Sequence, residues 1–142
     1  MAEAAAEFCG GCLCGAVKIT VHARPIGVRA CWCLVCQGLA AGGATVNAIF
    51  PVEAVKIEGK VRYYESEADS GNWMRRGFCP ICGTDLTSAS NARPSLLIVR
   101  AGALDQRDEL RPQATIWTRS APAWACFDPN TAQFEVQPPP VG

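Results

Sequence analysis

The sequence predicts a single domain that is mainly β. Three observations point there. Short apolar segments alternate with polar residues at the two-residue period of half-buried strands. Glycine and proline punctuate nearly every segment. No stretch carries the sustained 3.6-residue apolar period of a long helix. The chain has 142 residues, which suits one domain spanning 1–142, with a core of about 10–137 and a loose Pro-rich tail at 138–142. Apolar residues make up 49%, enough to bury a core without recruiting metal merely to offset small size.

The elements follow in order. In "AVKITV" (16–21), Val17, Ile19 and Val21 face one way and Lys18 and Thr20 the other. "GATVNAIF" (43–50), "AVKIEG" (54–59) and "VRYYES" (61–66) read as further strands, the last two separated by a Gly59-Lys60 turn. "WMRRGF" (73–78) leads into Cys79, and "TDLTSA" (84–89) follows Cys82. "SLLIVRAG" (95–102) is a continuous apolar run of the kind buried on both faces. "ATIWTRS" (114–120) and "AQFEVQ" (132–137) are late strands. The best helical segment is a turn or two around residues 34–41.

Charge narrows the function. The formal net charge is zero, and the longest basic cluster is Arg75-Arg76. Binding nucleic acid requires clustered cations, so that class is not expected. No apolar run approaches the ~20 residues of a membrane span. "MAEAAAEF" lacks a basic start and an apolar segment of signal-peptide length, so the expected location is cytoplasmic.

Nine cysteines then dominate: Cys9, Cys12, Cys14, Cys31, Cys33, Cys36, Cys79, Cys82 and Cys126. The number is odd and the clusters are tight, and a reducing compartment disfavours disulfides. Metal is the better reading. Cys79 and Cys82 have C-x-x-C spacing in "CPICG", where Pro80 stiffens the turn and Gly83 lets the chain leave it. Cys12 and Cys14 in "GCLCG" supply two more sulfurs. Four thiolates make a closed tetrahedral zinc site that pins the first strand to the middle of the chain, about sixty-five residues on. Cys9 leaves an alternative, because Cys9 and Cys12 also have C-x-x-C spacing; otherwise Cys9 is a free thiol on a loosely held arm.

"CWCLVC" holds Cys31, Cys33 and Cys36. Three protein ligands with one open position is the arrangement of a catalytic zinc. Such an ion lowers the pKa of what it binds and polarises carbonyls. Cys126 is either a distant fourth ligand that would close the site or a small core residue, and His22 reads as a solvated strand residue. Seven thiolates and two zinc ions would leave the chain at about −3 relative to its formal charge, so cations are needed beside the open site to receive an anion. Arg29, Arg75 and Arg76 are the candidates by proximity, against the plainer reading of solvated strand ends.

"GGCLCGAV", "CWCLVC", "RRGFCPICGTDL" and "TIWTRSAPAW" occur in this order. The set resembles the GFA family, the glutathione-dependent formaldehyde-activating family that also includes centromere protein V. The resemblance spans roughly residues 10–137. It implies a β-tent fold with two zinc ions per chain. Cys12, Cys14, Cys79 and Cys82 would hold the structural zinc, and Cys31, Cys33 and Cys36 the catalytic zinc. The implied activity is formation of S-hydroxymethylglutathione, a carbon–sulfur lyase reaction. Trp117, Ser120 and Trp124 match the family's C-terminal motif. Two departures stand out. Trp32 lies where relatives often have His, and "QGLAAGG" (37–43) where they are often basic. An apolar rim there would suit a bulkier electrophile than formaldehyde.

The expected function is therefore a zinc-dependent carbon–sulfur lyase joining a small thiol, such as glutathione, to an aldehyde-like electrophile. Arg76 and Trp124 are the expected substrate-binding residues, and no residue stands out as a general acid. The alternatives are a non-catalytic zinc module, with Cys126 or Cys9 closing the second site, and a thiol or metal sensor.

Overall fold

The computed structural model describes residues 6–139. As the sequence predicts, it is mainly β. Three strands form one antiparallel sheet in the order β1 (Phe8–Gly11), β2 (Lys18–Val21), β5 (Val55–Glu58). The other eight are β3 (Gly27–Cys31), β4 (Thr45–Pro51), β6 (Arg62–Glu67), β7 (Trp73–Phe78), β8 (Asp85–Ser90), β9 (Leu96–Arg100), β10 (Ala114–Ile116) and β11 (Ala132–Gln133). They form a second sheet in the order β11-β10-β3-β4-β9-β8-β7-β6. The pairing of β10 with β3 and β11 is parallel; the remaining neighbours are antiparallel. One short helix, α1 (Leu34–Leu39), follows β3.

The main core lies where the sheets meet. Ile19 and Val21 of β2 are buried and Lys18 is exposed, as the alternation requires. They pack with Phe8, Phe50, Leu86, Val99 and Leu104. Phe8 and Phe50 join the two sheets, their rings 5.8 Å apart and tilted by 58°. Gly10 pairs with Leu104 in an isolated bridge. A Cβ on Gly10 would lie 2.0 Å from the Ala103 carbonyl oxygen, so only glycine permits this approach.

Several expected boundaries move. β1 and β3 are strands that the sequence patterning does not reveal. β9 stops at Arg100, where Ala101–Ala103 forms a 3-10 turn, and it is only partly buried along its first half. β10 stops at Ile116 because Trp117 takes a left-handed conformation, φ 60°. β11 keeps only two residues of its expected six. Of the expected loose tail, Pro138 is buried and the Pro139 carbonyl accepts a bond from Arg29; residues 140–142 lie outside the described residues.

Candidate metal centres and the arginine cleft

The first cysteine group joins two turns. The β1–β2 turn carries Cys12 and Cys14, and the β7–β8 turn carries Cys79 and Cys82. Both are exited by left-handed glycines, Gly15 at φ 81° and Gly83 at φ 78°. All four sulfurs lie within 4.8 Å of one another. Cys14 Sγ is 3.6 Å from Cys12 Sγ and 3.7 Å from Cys79 Sγ. Those separations exclude disulfide bonds, and they match the ~3.8 Å expected of sulfurs placed tetrahedrally at ~2.3 Å from zinc. The Val17 N–H donates to Cys12 Sγ at 3.2 Å, the Ile81 N–H donates to Cys79 Sγ at 3.4 Å, and the Thr84 hydroxyl lies 3.1 Å from Cys82 Sγ. Hydroxyl and backbone bonds from Thr84 hold the Cys82 thiol down to about 5. The donor set fits a closed four-thiolate site.

The second group stands at the end of β3. Cys31, Cys33 and Cys36 are all buried, with their sulfurs within 4.8 Å of one another. Cys33 caps α1, its sulfur accepting from the Cys36 N–H at 3.4 Å. Bonds from Cys31 and Cys33 push the Cys36 thiol down to about 2, helped by Thr45 and Arg100. The same neighbours, Cys33 and Cys36, push Cys31 up, and burial adds to it. One buried thiolate therefore forbids its neighbours theirs unless a cation is shared among them. Three soft donors around one point fit a metal ion with a fourth position unfilled by protein.

The cysteine loop is braced from behind. Trp32 turns to the side opposite Cys31 and Cys33, as successive residues of an extended segment do. Its ring meets Trp124 edge-on at 6.4 Å and Phe127 at 5.9 Å. The Gln37 side chain donates to the Trp32 carbonyl at 2.7 Å and to the Ser120 carbonyl at 3.0 Å. Trp117 packs in the small buried cluster around the three cysteines, and its Nε1 donates to Gln137 at 3.1 Å. Trp124, expected to wall the substrate site, packs edge-on against Trp32, is 70% exposed and does not line the cleft.

The three sulfurs open onto a cleft of about 120 Å³. Four arginines line it: Arg29, Arg76, Arg93 and Arg100. Three are buried, Arg29 at 8%, Arg76 at 4% and Arg100 at 7% exposure. Arg29 and Arg76 are not the solvated strand ends weighed from the sequence. Arg75 is, because β7 alternates: it points outward over Tyr63 and toward Glu65, while Arg76 points in. Arg100 donates from Nε to Asp85 at 2.8 Å and from Nη1 to Asn47. Burial raises the Asp85 carboxyl above its usual range, against the opposing pull of Arg100. Burial, and then the charge of Arg93, lower Arg29. Arg76 Nη1 donates to Ser66 Oγ at 2.8 Å, while its buried Nε has no partner among the described residues. An unmade bond on a buried donor costs ~1–3 kcal/mol.

The segment 37–43 does not line the cleft, so the expected apolar rim is not there. The walls come from β3, β4, β7, β8 and β9 instead. Arg93, Arg100, Asn47 and Ser88 were not anticipated from the sequence. A signal existed for Arg100: a charge ending an apolar strand must be paired or functional. Cys126 is exposed beyond the Trp124 turn, 3.8 Å from the Trp124 carbonyl, and belongs to neither cysteine group. Cys9 also stands apart, but it sits in the β1–β2 ladder opposite Thr20 rather than on a loose arm. His22 is exposed after β2.

The family model described as glutathione-dependent formaldehyde-activating enzyme matches residues 7–120. Among solved structures, a crystal structure of a Rhodobacter sphaeroides protein is similar in fold, with a TM-score of 0.57 at 21% identity over 73% of this chain and 96% of that one. No curated protein matches the chain. No helix of the described residues is long and apolar enough to cross a membrane.

Proposed function

The chain belongs to the glutathione-dependent formaldehyde-activating family, and we propose that it is a zinc-dependent carbon–sulfur lyase acting in the arginine cleft. It would join a small thiol, glutathione first, to formaldehyde or a related aldehyde. The observation that carries this reading is the three-cysteine group, left open on the cleft side and lined there by buried guanidinium groups. Four thiolates at Cys12, Cys14, Cys79 and Cys82 would hold a second, structural zinc. When bound at Cys31, Cys33 and Cys36, zinc supplies a Lewis-acidic open position that favours the thiolate form of an incoming thiol and polarises a carbonyl.

The protein's own part is positioning. Sulfur attacks the carbonyl carbon, the C–S bond forms, and the π electron pair moves to oxygen, which takes up the proton released by the thiol. The product is a hemithioacetal, and the reverse path cleaves it. The cleft holds both reactants in a small volume, which replaces a bimolecular encounter with an oriented one. Among the described residues its lining contains no histidine, lysine or carboxylate, so proton exchange runs through the thiol and solvent. The guanidinium groups favour the developing oxyanion electrostatically.

The test is two-dimensional exchange NMR on glutathione and formaldehyde with zinc-loaded protein. Wild type should accelerate interconversion of free thiol and adduct well above the buffer rate, and Cys33→Ser should return it to that rate. Equal rates with and without wild-type protein, across formaldehyde and larger aldehydes, would reject the reading.

A further inference from the structure

We propose that Arg76, flanked by Arg29 and Arg93, forms a carboxylate-binding subsite in the cleft, filled by a carboxylate of the thiol or of the carbonyl substrate. The subsite rests on the reading of the cleft as the place where thiol and carbonyl meet.

The charge balance of the lining comes first. Of its four guanidinium groups, only Arg100 has a carboxylate partner among the described residues, Asp85 at 2.8 Å. Among the described residues Arg29 donates to the Pro139 carbonyl, at 3.4 Å, and to no carboxylate. Formaldehyde is neutral and gives three buried or half-buried cations nothing to bind. A substrate that carries a carboxylate does.

Arg76 is the best placed. It is 4% exposed, so its charge has left water. Its Nη1 donates to Ser66, and its Nε, itself shut off from solvent, has no partner among the described residues. A guanidinium left with an unmade bond beside the cleft is the kind of group a carboxylate completes. Ser88 and Ser90 line the same cleft and add neutral donors. A buried cation with an unmade donor bond is costly to keep unless a ligand completes it.

The sources of the carboxylate separate by titration calorimetry on zinc-loaded protein. S-methylglutathione has its sulfur capped and carries its carboxylates on the thiol side. Glyoxylate carries its carboxylate on the aldehyde. The diester of N-acetyl-S-methylglutathione, which carries neither carboxylate nor ammonium, is the uncharged control. One of the two acids should bind saturably and the diester at least roughly tenfold more weakly. Arg76→Gln should weaken that acid roughly tenfold or more, and Arg76→Lys should recover only part, since it keeps the charge and loses the guanidinium geometry. Arg93→Gln, at a half-exposed position that does not disturb buried packing, should weaken it by a smaller factor and carries the test if Arg76→Gln fails to fold. Preference for S-methylglutathione assigns the carboxylate to the thiol; preference for glyoxylate assigns it to the electrophile. Equal binding of acid and diester, affinities unchanged in the folded variants, or no saturable binding by either acid would overturn the subsite. Acid binding of the expected pattern in a protein that accelerates no adduct formation would leave the subsite standing and remove only the proposed reaction.

Discussion

Arg100 lines the cleft, and the half-buried Asp85 behind it is the carboxylate partner that lets its charge leave water. Their bond is 2.8 Å, with side-chain exposures of 8% and 23%. Arg100→Met would leave the carboxylate without its partner, an expected loss of ~3–5 kcal/mol in urea unfolding near neutral pH. Adding Asp85→Asn should recover much of that loss. The pH dependence has a definite sign. Burial holds the folded Asp85 carboxyl above its unfolded value, so the folded state takes up the proton more readily. Its penalty is full above the folded pKa and vanishes below the unfolded one. Removing Arg100 lifts the folded pKa further, so the deficit of Arg100→Met against wild type should narrow as pH falls. A deficit that widens on acidification would contradict the argument. At this scale the cysteines were legible and the arginines only in part: Arg29 and Arg76 stood among the candidates with Arg75, while Arg93 and Arg100 did not. Ligand spacing is written along the chain, and C-x-C and C-x-x-C bring sulfurs together whatever the rest of the fold does. The side a strand residue faces is set by register: Arg75 and Arg76 are indistinguishable in sequence, and one lines the cleft while the other covers Tyr63.

At the scale of elements, alternation made β2 readable and its absence hid β1 and β3. β1 is "FCGG", in which only Phe8 has a large side chain, and its value lies in close backbone approach rather than in a hydrophobic face. β3 is "GVRAC", buried on both faces because Val28 packs in the main core while Arg29 lines the cleft, so no period of two survives. The glycines test this account. Gly10→Ala drives a Cβ to 2.0 Å from a backbone carbonyl oxygen, which no rotamer change relieves. The expected loss is ~3 kcal/mol or more, the high end for overpacking. Gly42→Ala meets nothing within 4 Å, so only the φ of 103° is strained. Its loss should be ~1–2 kcal/mol. Equal effects in thermal unfolding would mean that the approach of β1 to the Ala101–Ala103 turn is not what fixes the small sheet. The late strands shrank for a related reason: left-handed Trp117 turns the chain behind the cysteine loop, where "IWTRS" alone reads as one extended run.

The described residues form two apolar clusters, and each cysteine group belongs to one of them, Cys14 alone standing outside. Cys79 is part of the main core, with Cys12 and Cys82 packed against it. Cys31, Cys33 and Cys36 sit instead in the smaller cluster with Ile116 and Trp117. The two groups should therefore answer differently to the loss of a ligand. The first ties the β1–β2 turn to the β7–β8 turn across 65 residues of chain from Cys14 to Cys79, so metal bound there closes a long loop and joins the two sheets. Cys79→Ser should lose a metal ion and the cooperative fold together. Cys33→Ser should lose one metal ion while keeping its β circular dichroism and a melting temperature within a few degrees of wild type, because its loop remains pinned by Gln37 and by the packing of Trp32 on Trp124 and Phe127. Elemental analysis beside thermal melts of anaerobically purified protein decides it. Two zinc ions in wild type and one in a folded Cys33→Ser would separate structure from chemistry in this chain. A Cys33→Ser variant that melts as low as Cys79→Ser would make both sites structural and move the protein toward the non-catalytic zinc module.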